Sequence, residues 1–578
     1  MPDNYYIGID VGTGSVRAGL VKDDGALLAS STESTITYRD SNDHRIFEQS
    51  TNNIWDGMCK TIRAVLAEAK VSPSDIKGLG FDATCSLAVS DMNGDPVVVT
   101  KGDKLGEIGD RNIILWADHR AEEEANLINS TGSTVLDYVG GVMSLEMEIP
   151  KTLWLKKHMA AERFARCQFF DLPDFLTYKA TGENQRSCCS VTCKCSFVPT
   201  KNGWQPDFFQ KIGLGEFVEN RFTQLGAQEG NVLTAGLPVG KGLSKKAAEE
   251  LGLIEGTPVG SGVIDAYAGW LGTVAGRYKE GEKLSEVPSI DESRHRLAAC
   301  AGTSTCHIVQ SKEGVFVKGV WGPYKNAVMP GWWMNEGGQS STGQLIDFMI
   351  RTHPAYPRLQ ELAKEQNTDI HEVLANTLNM LCKEEGVATW TELTKDMHFY
   401  PDLHGNRSPI ADPRMRGSIT GLALDDGLSD LARKFNLTLE AIALQTRHIV
   451  DSMNAAGHDI TAIYMSGGQA KNAMLMQLFA NTCNMPVVLP KSGGDAVVLG
   501  SAMLGRFAHR AGELGRLSAE DQAQALWNIM IEMTPTATSV PPSANSKEKK
   551  LLEAKYRIFR ESIEIQKRWR KEMEEASR

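Results

Sequence analysis

Apolar and polar positions alternate with a period of two at the start of the chain. Tyr6-Ile7-Gly8-Ile9 runs into Asp10-Val11-Gly12-Thr13-Gly14-Ser15, after which Val16, Ala18 and Leu20 alternate with Arg17 and Gly19. Two strands joined by a glycine turn are predicted. Asp23-Asp24-Gly25 marks a second turn, and Ala26-Leu27-Leu28-Ala29 a returning strand. The period then changes: Ile54, Met58, Ile62, Val65 and Leu66 form the apolar stripe of a helix behind the cap-prone Asn52-Asn53. Ile76-Lys77-Gly78-Leu79-Gly80-Phe81 follows as a strand ending at Asp82. Strands alternating with helices after a hairpin start indicate an α/β domain.

A similar pattern returns about 290 positions downstream, where Gly302-Thr303-Ser304-Thr305 takes the place of Gly12-Thr13-Gly14-Ser15. It is preceded by Ala298-Ala299-Cys300-Ala301 and followed by the apolar Cys306-His307-Ile308-Val309 and a turn at Glu313-Gly314. Both halves later carry a helix leading into a strand, Ile76–Phe81 in the first and Ile460–Ser466 in the second. A duplicated domain is expected rather than a short-period solenoid. The boundary falls near the cluster of Gly256, Pro258, Gly260 and Gly262, dividing the chain into lobes at 1–262 and 263–533. Residues 277–294 read as an exposed polar excursion. Residues 534–578 read as a Pro/Ser/Thr-rich linker to residue 546, then a charged helix with apolar positions at Leu552, Tyr556, Phe559 and Ile563. The mixed charge of that helix suggests a solvated face, a docking role being the lesser alternative.

Composition narrows the function classes. With 578 residues, 42% hydrophobic and 23% charged, the chain has the mix of a globular protein with at least two domains. A net charge of −11 argues against nucleic acid as the main partner. No apolar run approaches the length of a membrane span, and Met1-Pro2-Asp3-Asn4 puts an acid where a signal peptide wants cations. Eleven cysteines without framework spacing fit a reducing, cytoplasmic setting. Cys188, Cys189, Cys193 and Cys195 lie close together, but no second Cys/His pair follows at metal-ligand spacing. Alternating faces of a short strand account for them.

The two glycine/hydroxyl turns carry the chemistry. Without Cβ obstruction their backbone N–H groups can converge into a nest for phosphate oxygens, although a plain hairpin turn explains either one alone. Two such turns in equivalent lobes could grip a triphosphate from both sides. Asp10 precedes the first turn, whereas Cys300 holds the matching place in the second. A carboxylate beside a phosphate nest repels the nucleotide unless a cation intervenes, so Asp10 is a candidate to hold Mg²⁺, or else a turn-capping Asp. Tyr464-Met465-Ser466-Gly467-Gly468-Gln469-Ala470-Lys471-Asn472 sits at a strand-to-helix junction. Gly467 and Gly468 would let a flat ligand approach backbone, and Asn472 offers donor and acceptor to a nucleoside.

These blocks, with Gly262-Val263-Ile264-Asp265-Ala266 and the closing Asp495-Ala496-Val497-Val498-Leu499-Gly500-Ser501-Ala502, resemble in order and separation the FGGY family of carbohydrate kinases, over nearly all of residues 5–510. The resemblance implies an α/β fold of two actin-like ATPase (ribonuclease H-like) lobes around an interdomain cleft. ATP and Mg²⁺ are then expected, with Gly12, Thr13, Gly14, Ser15, Arg17, Gly302, Thr303 and Ser304 at the phosphates and Gly467, Gly468 and Asn472 at the adenosine. It also implies that Asp265 is the general base, a carboxylate taking the proton of a sugar hydroxyl as it attacks the γ-phosphorus. From the residues alone Asp265 reads first as a helix N-cap after a glycine-rich turn.

Within the family, Gly80-Phe81-Asp82-Ala83-Thr84-Cys85-Ser86, Leu115-Trp116-Ala117-Asp118-His119-Arg120-Ala121, Asn335-Glu336-Gly337-Gly338-Gln339-Ser340 and Asp402-Leu403-His404-Gly405-Asn406-Arg407-Ser408-Pro409 are similar to ribulokinase-type members. By that match the sugar, a ketopentose, meets Cys85, Asp118, Lys194, Asp265 and Glu336. D-ribulose is the first choice and L-ribulose the second, with xylulose or another polyol behind. A non-catalytic, ATP-gated binding protein is the rival on the same fold. A membrane role is not expected, and homodimerisation stays open.

Overall fold

The computed structural model describes residues 4–226, 231–491, 494–514 and 517–578. Met1-Pro2-Asp3, on which the reading of the N-terminus leaned, lies outside the described residues. The chain forms two compact units that interleave along the sequence: Met1–Ala298, Ile308–Glu336 and Pro490–Ala537 in the first, and Ala299–His307, Gly337–Leu489 and Thr538–Arg578 in the second.

The sequence hairpin is present in the first unit as β1 (Tyr5–Val11) and β2 (Ser15–Lys22), with β3 (Leu27–Ser34) returning beside β2. β4 (Ile76–Ala83) and β5 (Val263–Ile264) complete a sheet of order β5-β4-β1-β2-β3. β1, β4 and β5 run parallel. Alternation buries Ile7, Ile9, Val16, Ala18 and Leu20, and the stripe Ile54, Met58, Ile62 and Val65 of the helix Thr51–Ala69 closes over them. That helix is capped by Ser50, whose hydroxyl accepts from the Asn53 amide, rather than by Asn52 or Asn53.

On this sheet the late helix Ala496–Leu514 lies backbone against backbone. A Cβ on Gly8 would stand 1.9 Å from the Val498 carbonyl oxygen, and one on Gly80 1.9 Å from that of Ser501. The same helix approaches the helix Asp265–Leu271 as closely, a Cβ on Gly500 falling 1.9 Å from the Ala268 oxygen. Any side chain at these positions would lift the helix off the sheet.

In another sheet β6 (Arg296–Ala301), β7 (Thr305–Ser311), β8 (Trp333–Gln339), β9 (Ala462–Ser466) and β10 (Val487–Pro490) are consecutive neighbours in the order β10-β9-β6-β7-β8. The predicted second glycine turn joins β6 to β7, and the predicted strand at Ile460–Ser466 is β9.

Three local expectations change. The cysteine cluster is a helix, Cys188–Cys193, not a strand, and all four thiols are buried. One and a half turns are too short for a legible period, and Thr192 Oγ1 donates to the Cys188 carbonyl at 2.6 Å, as a helical threonine does. The stretch read as a linker contains a strand, Ala537–Val540, whose Ala537 amide donates to the Arg277 carbonyl. The charged terminal helix, Ser546–Ala576, keeps the solvated face expected of it, but the lesser alternative also holds, since its other face is docked. Tyr556, Phe559 and Ile563 pack with Tyr400, Met415 and Leu444, while buried Lys555 pairs with buried Glu440 at 2.7 Å and donates to the Thr394 and Met397 carbonyls.

Candidate active site

Strand direction brings three carboxylates together in the first unit. Asp10, near the end of β1, stands in register with Asp82 on β4, and Val263 of β5 pairs with Asp82, so that Asp265 follows directly at the end of β5. The carboxyl ends of parallel strands are where α/β sheets bind ligands. Asp82 is buried and accepts a hydrogen bond from Ser501 of the late helix. Burial first, and the Asp10 charge second, raise its pKa well above the carboxylate range. The pKa of the neighbouring Asp10 is likewise raised by burial, with Asp82 and Arg17 lowering it. Asp265 is pushed up to about 7 by burial and then by Asp10 and Glu336, against the Ala266 amide and Lys194, which lower it. Asp265 is not the helix N-cap, a place Ile264 takes; it is the first residue of the helix, and its Oδ1 accepts from the adjacent Ala266 amide at 2.7 Å.

Opposite charges lie beside these carboxylates in the first unit. Lys194 follows the cysteine helix, and its ammonium lies 3.7 Å from Glu336 Oε2 and 4.1 Å from the centroid of the Trp321 ring. Both charged side chains are buried. Trp321 is paired with Glu336 across antiparallel strands, which fixes the ring beneath the ammonium. Cys85 is buried in the electrostatic field of Lys194 and Glu336, its thiol raised well above the usual range by burial. Cys85, Lys194, Asp265 and Glu336 thus share one neighbourhood.

Asp118 does not join them as a free ligand. Its side chain is fully buried, with Oδ1 accepting from the Arg120 amide and guanidinium and Oδ2 from the Phe47 amide and the guanidinium again. Arg120 in turn pairs with buried Glu48 at 2.8 Å. Asp118 is committed to holding its loop, and a sugar would have to compete with four donors.

The first glycine turn is closed by the Gly12 amide donating to the Ser15 carbonyl at 2.9 Å, and the Thr13 carbonyl accepts from Gln49 Nε2 at 2.7 Å. Neither a positive φ nor a close protein neighbour requires glycine at Gly14 or Gly302: a Cβ at either would meet nothing within 4 Å. Such glycines leave room for a ligand against the backbone, which fits phosphate oxygens. Arg17 donates to the Gly494 carbonyl and to Asp495 Oδ1, at 2.8 and 3.0 Å.

The second unit carries the other glycine turn. The Gly302 amide donates to the Ser304 carbonyl, and Gln469 Nε2 donates to the Gly302 carbonyl at 2.8 Å and to Thr342 Oγ1 at 2.7 Å. Gly467 has φ +88°, and a Cβ there would lie 2.3 Å from the Ala301 oxygen, so only glycine fits. Asn472 Oδ1 caps the following helix by accepting from the Leu475 amide. Gly302, Thr303, Gly468 and Asn472 line one cavity of about 890 Å³, with Trp390 and Phe435 among its other walls. That volume suits a nucleoside-sized ligand.

A cation is the remaining question. Among the described residues no group of three or more His, Cys, Asp or Glu is arranged to hold a metal by itself. Mg²⁺ needs only one or two carboxylates when phosphate and water complete its shell, and three crowded carboxylates with raised pKa values are the setting a dication relieves. Sequence reasoning missed Asp82. Its signal was a strand ending on Asp in the same way as the strand that carries Asp10.

The family models decide the broader identity: the N-terminal domain of the FGGY family of carbohydrate kinases matches residues 5–272, and its C-terminal domain residues 297–509. The chain belongs to this family. As an FGGY carbohydrate kinase it is 46% identical over 517 residues to a D-ribulokinase of Saccharomyces cerevisiae, covering 87% of this chain and 72% of that one. It is 41% identical over 570 residues to an FGGY carbohydrate kinase domain-containing protein of Homo sapiens, covering 98% of each. Among solved structures, a xylulose kinase from Rhodospirillum rubrum superposes with a TM-score of 0.72 at 19% identity, covering 98% of this chain and 99% of that one. Plasmodium falciparum glycerol kinase with ADP gives 0.70 at 15%, with coverage of 97% and 98%. The two-lobed α/β fold expected from the sequence is therefore the family fold. Among the described residues no helix is long and apolar enough to cross a membrane.

Proposed function

We propose that this FGGY kinase transfers the γ-phosphoryl group of ATP to a ketopentose, D-ribulose before L-ribulose or xylulose. The observation that carries the reading is the placement of Asp265 directly after β5, beside Asp82 of β4 and in the field of the buried Lys194 and Glu336 charges. Burial raises its pKa toward neutrality, which suits a general base. Lys194 donates to sugar oxygens and Glu336 accepts from sugar hydroxyls, with Cys85 lining the site. Asp265 takes the proton of the attacking hydroxyl as its oxygen bonds to the γ-phosphorus and the bond to the β-phosphate breaks, releasing ADP. The Gly12–Ser15 and Gly302–Ser304 turns hold phosphate oxygens, and the cavity beside Gly467, Gly468 and Asn472 takes the adenosine. Arg17, through Asp495, steadies the first turn. Asp10 would hold Mg²⁺, directly or through water, and the ion supplies charge neutralisation of the phosphates.

The preference for D-ribulose is supported by the 46% identical relative, a D-ribulokinase. All eleven cysteines are free thiols, which supports a reducing, cytoplasmic compartment. The test is ADP release against D-ribulose, L-ribulose, D-xylulose, erythritol and glycerol. D-ribulose is expected to give the highest kcat/KM, and folded protein releasing no sugar-stimulated ADP would overturn the kinase reading.

A further inference from the structure

Trp116 lies between two parts of the first unit that the reading above gives to different substrates. Its main-chain N–H donates to Ser86 Oγ at 3.2 Å, and Ser86 Oγ is hydrogen-bonded to Thr84 Oγ1 at 3.2 Å. These two hydroxyls flank Cys85, on the sugar side. The indole N–H of the same residue donates to Thr13 Oγ1 at 2.9 Å, at the tip of the first phosphate turn. The Thr84 amide also donates to the Val11 carbonyl at 2.9 Å, so the sugar-side turn is stitched to the strand that feeds the phosphate turn.

What fixes Trp116 is a buried cation. Lys151 has no exposed surface, and its Nζ donates to the Leu115 carbonyl at 2.7 Å and the Trp116 carbonyl at 3.3 Å. Behind the same loop stands the Asp118–Arg120–Glu48 network. The peptide on either side of Trp116 is therefore immobilised by buried charges, while its ring is only partly buried and reaches an exposed turn. One fixed residue thus bonds both turns, its main-chain N–H holding Ser86 and its indole N–H holding Thr13, so ordering either turn completes the frame that orders the other.

We propose that Trp116 is a positioning residue that couples occupancy of the sugar site to the order of the Gly12–Ser15 phosphate turn, so that sugar tightens nucleotide binding. The proposal rests on the functional reading above. It gives the Trp116 side chain a role that its ring volume alone does not supply, the indole N–H being the connecting group. Reciprocity requires that nucleotide tighten sugar by the same factor.

The test is equilibrium binding of a non-hydrolysable ATP analogue to the full chain, with and without saturating D-ribulose. In the unmodified protein the sugar is expected to tighten the analogue by about fivefold or more. Trp116→Phe keeps the ring and removes the N–H; the ratio should fall below about twofold while the affinity for the analogue alone changes by less than about threefold. Thr13→Val removes the acceptor from the other side and covers the case in which Trp116→Phe fails to fold. Combined with Trp116→Phe it should reduce the ratio no further, as a double-mutant cycle across one bond requires. A ratio unchanged in both single variants overturns the coupling and leaves the kinase reading standing. A chain that binds neither the analogue nor the sugar overturns both.

Discussion

Asp10 and Asp82 stand opposite one another on neighbouring parallel strands, and burial with the Asp10 charge raises the Asp82 pKa well above the carboxylate range. Asp82→Asn removes the charge and keeps an acceptor for Ser501, whereas Asp82→Ala leaves Ser501 without its acceptor. The Asn variant should retain kcat within about fivefold. The Ala variant should lose about 1–3 kcal/mol of stability, read from denaturant midpoints of the two variants side by side.

Asp265→Asn should bind sugar and nucleotide but lower kcat by about 10²–10⁴-fold. In the unmodified enzyme kcat/KM should fall as pH drops through about 7, the value to which burial and Asp10 raise Asp265. The stability effect has the opposite dependence on pH. A carboxyl whose folded pKa is raised binds its proton more tightly when folded, so its contribution is most favourable below the unfolded value and is lost as pH rises toward 7. Asp265→Asn should thus raise Tm at pH 8 and leave it nearly unchanged at pH 4.

Lys194 and Glu336 are both buried at a separation of 3.7 Å. Lys194→Met leaves a buried carboxylate without its cation and should cost about 3–5 kcal/mol, with a KM for sugar raised well above that for ATP. Glu336→Gln keeps the shape and one acceptor, so its effect should appear mainly in the sugar KM. Initial rates with each substrate varied in turn, beside thermal melts, separate the two contributions.

Gly14→Ala and Gly467→Ala form a contrast. A Cβ at Gly14 meets no protein atom within 4 Å, so stability should change by less than about 0.5 kcal/mol while the KM for ATP rises. At Gly467 the Cβ meets the Ala301 oxygen at a left-handed φ, and stability should fall by more than about 1 kcal/mol. Equal stability losses in the two variants would remove the phosphate-nest reading of the first turn.

Lys555→Met should destabilise the chain by about 3–5 kcal/mol by stranding Glu440, and Lys555→Met with Glu440→Gln should recover part of that loss. Glu440 accepts from Asn436, which donates to the carbonyl of the cavity-wall residue Trp390, so the KM for ATP should rise in the single variant while kcat changes less. Chemical denaturation of the single and double variants provides the measurement.

Long periodic segments were legible from the sequence because their pattern is set locally. The first hairpin, the helix over 51–69, the strand ending at Asp82 and the second glycine turn all appear where alternation or helical spacing put them. The cysteine helix was not legible, being one and a half turns of small residues with no period. Lys555 reads as one more cation in a charged helix, and only its packing on Glu440, 115 residues earlier, makes it a buried anchor. Trp116 and Lys151 likewise carry no local signal, since their importance lies in hydrogen bonds to segments distant in sequence.

The bare glycine strands have a consequence for biosynthesis. The helix Ala496–Leu514 supplies the surface that Gly8 and Gly80 require and the hydroxyl that Asp82 requires, across 419 residues between Asp82 and Ser501. On the ribosome, at about 5–20 residues per second, the opening strands wait tens of seconds for that helix. Until it emerges, the most N-terminal sheet of the chain exposes an uncovered apolar face, the state on which nascent-chain chaperones act. A ribosome-stalled chain ending before residue 496 should be sensitive to protease throughout β1–β4, and one carrying residue 514 clear of the exit tunnel should be protected.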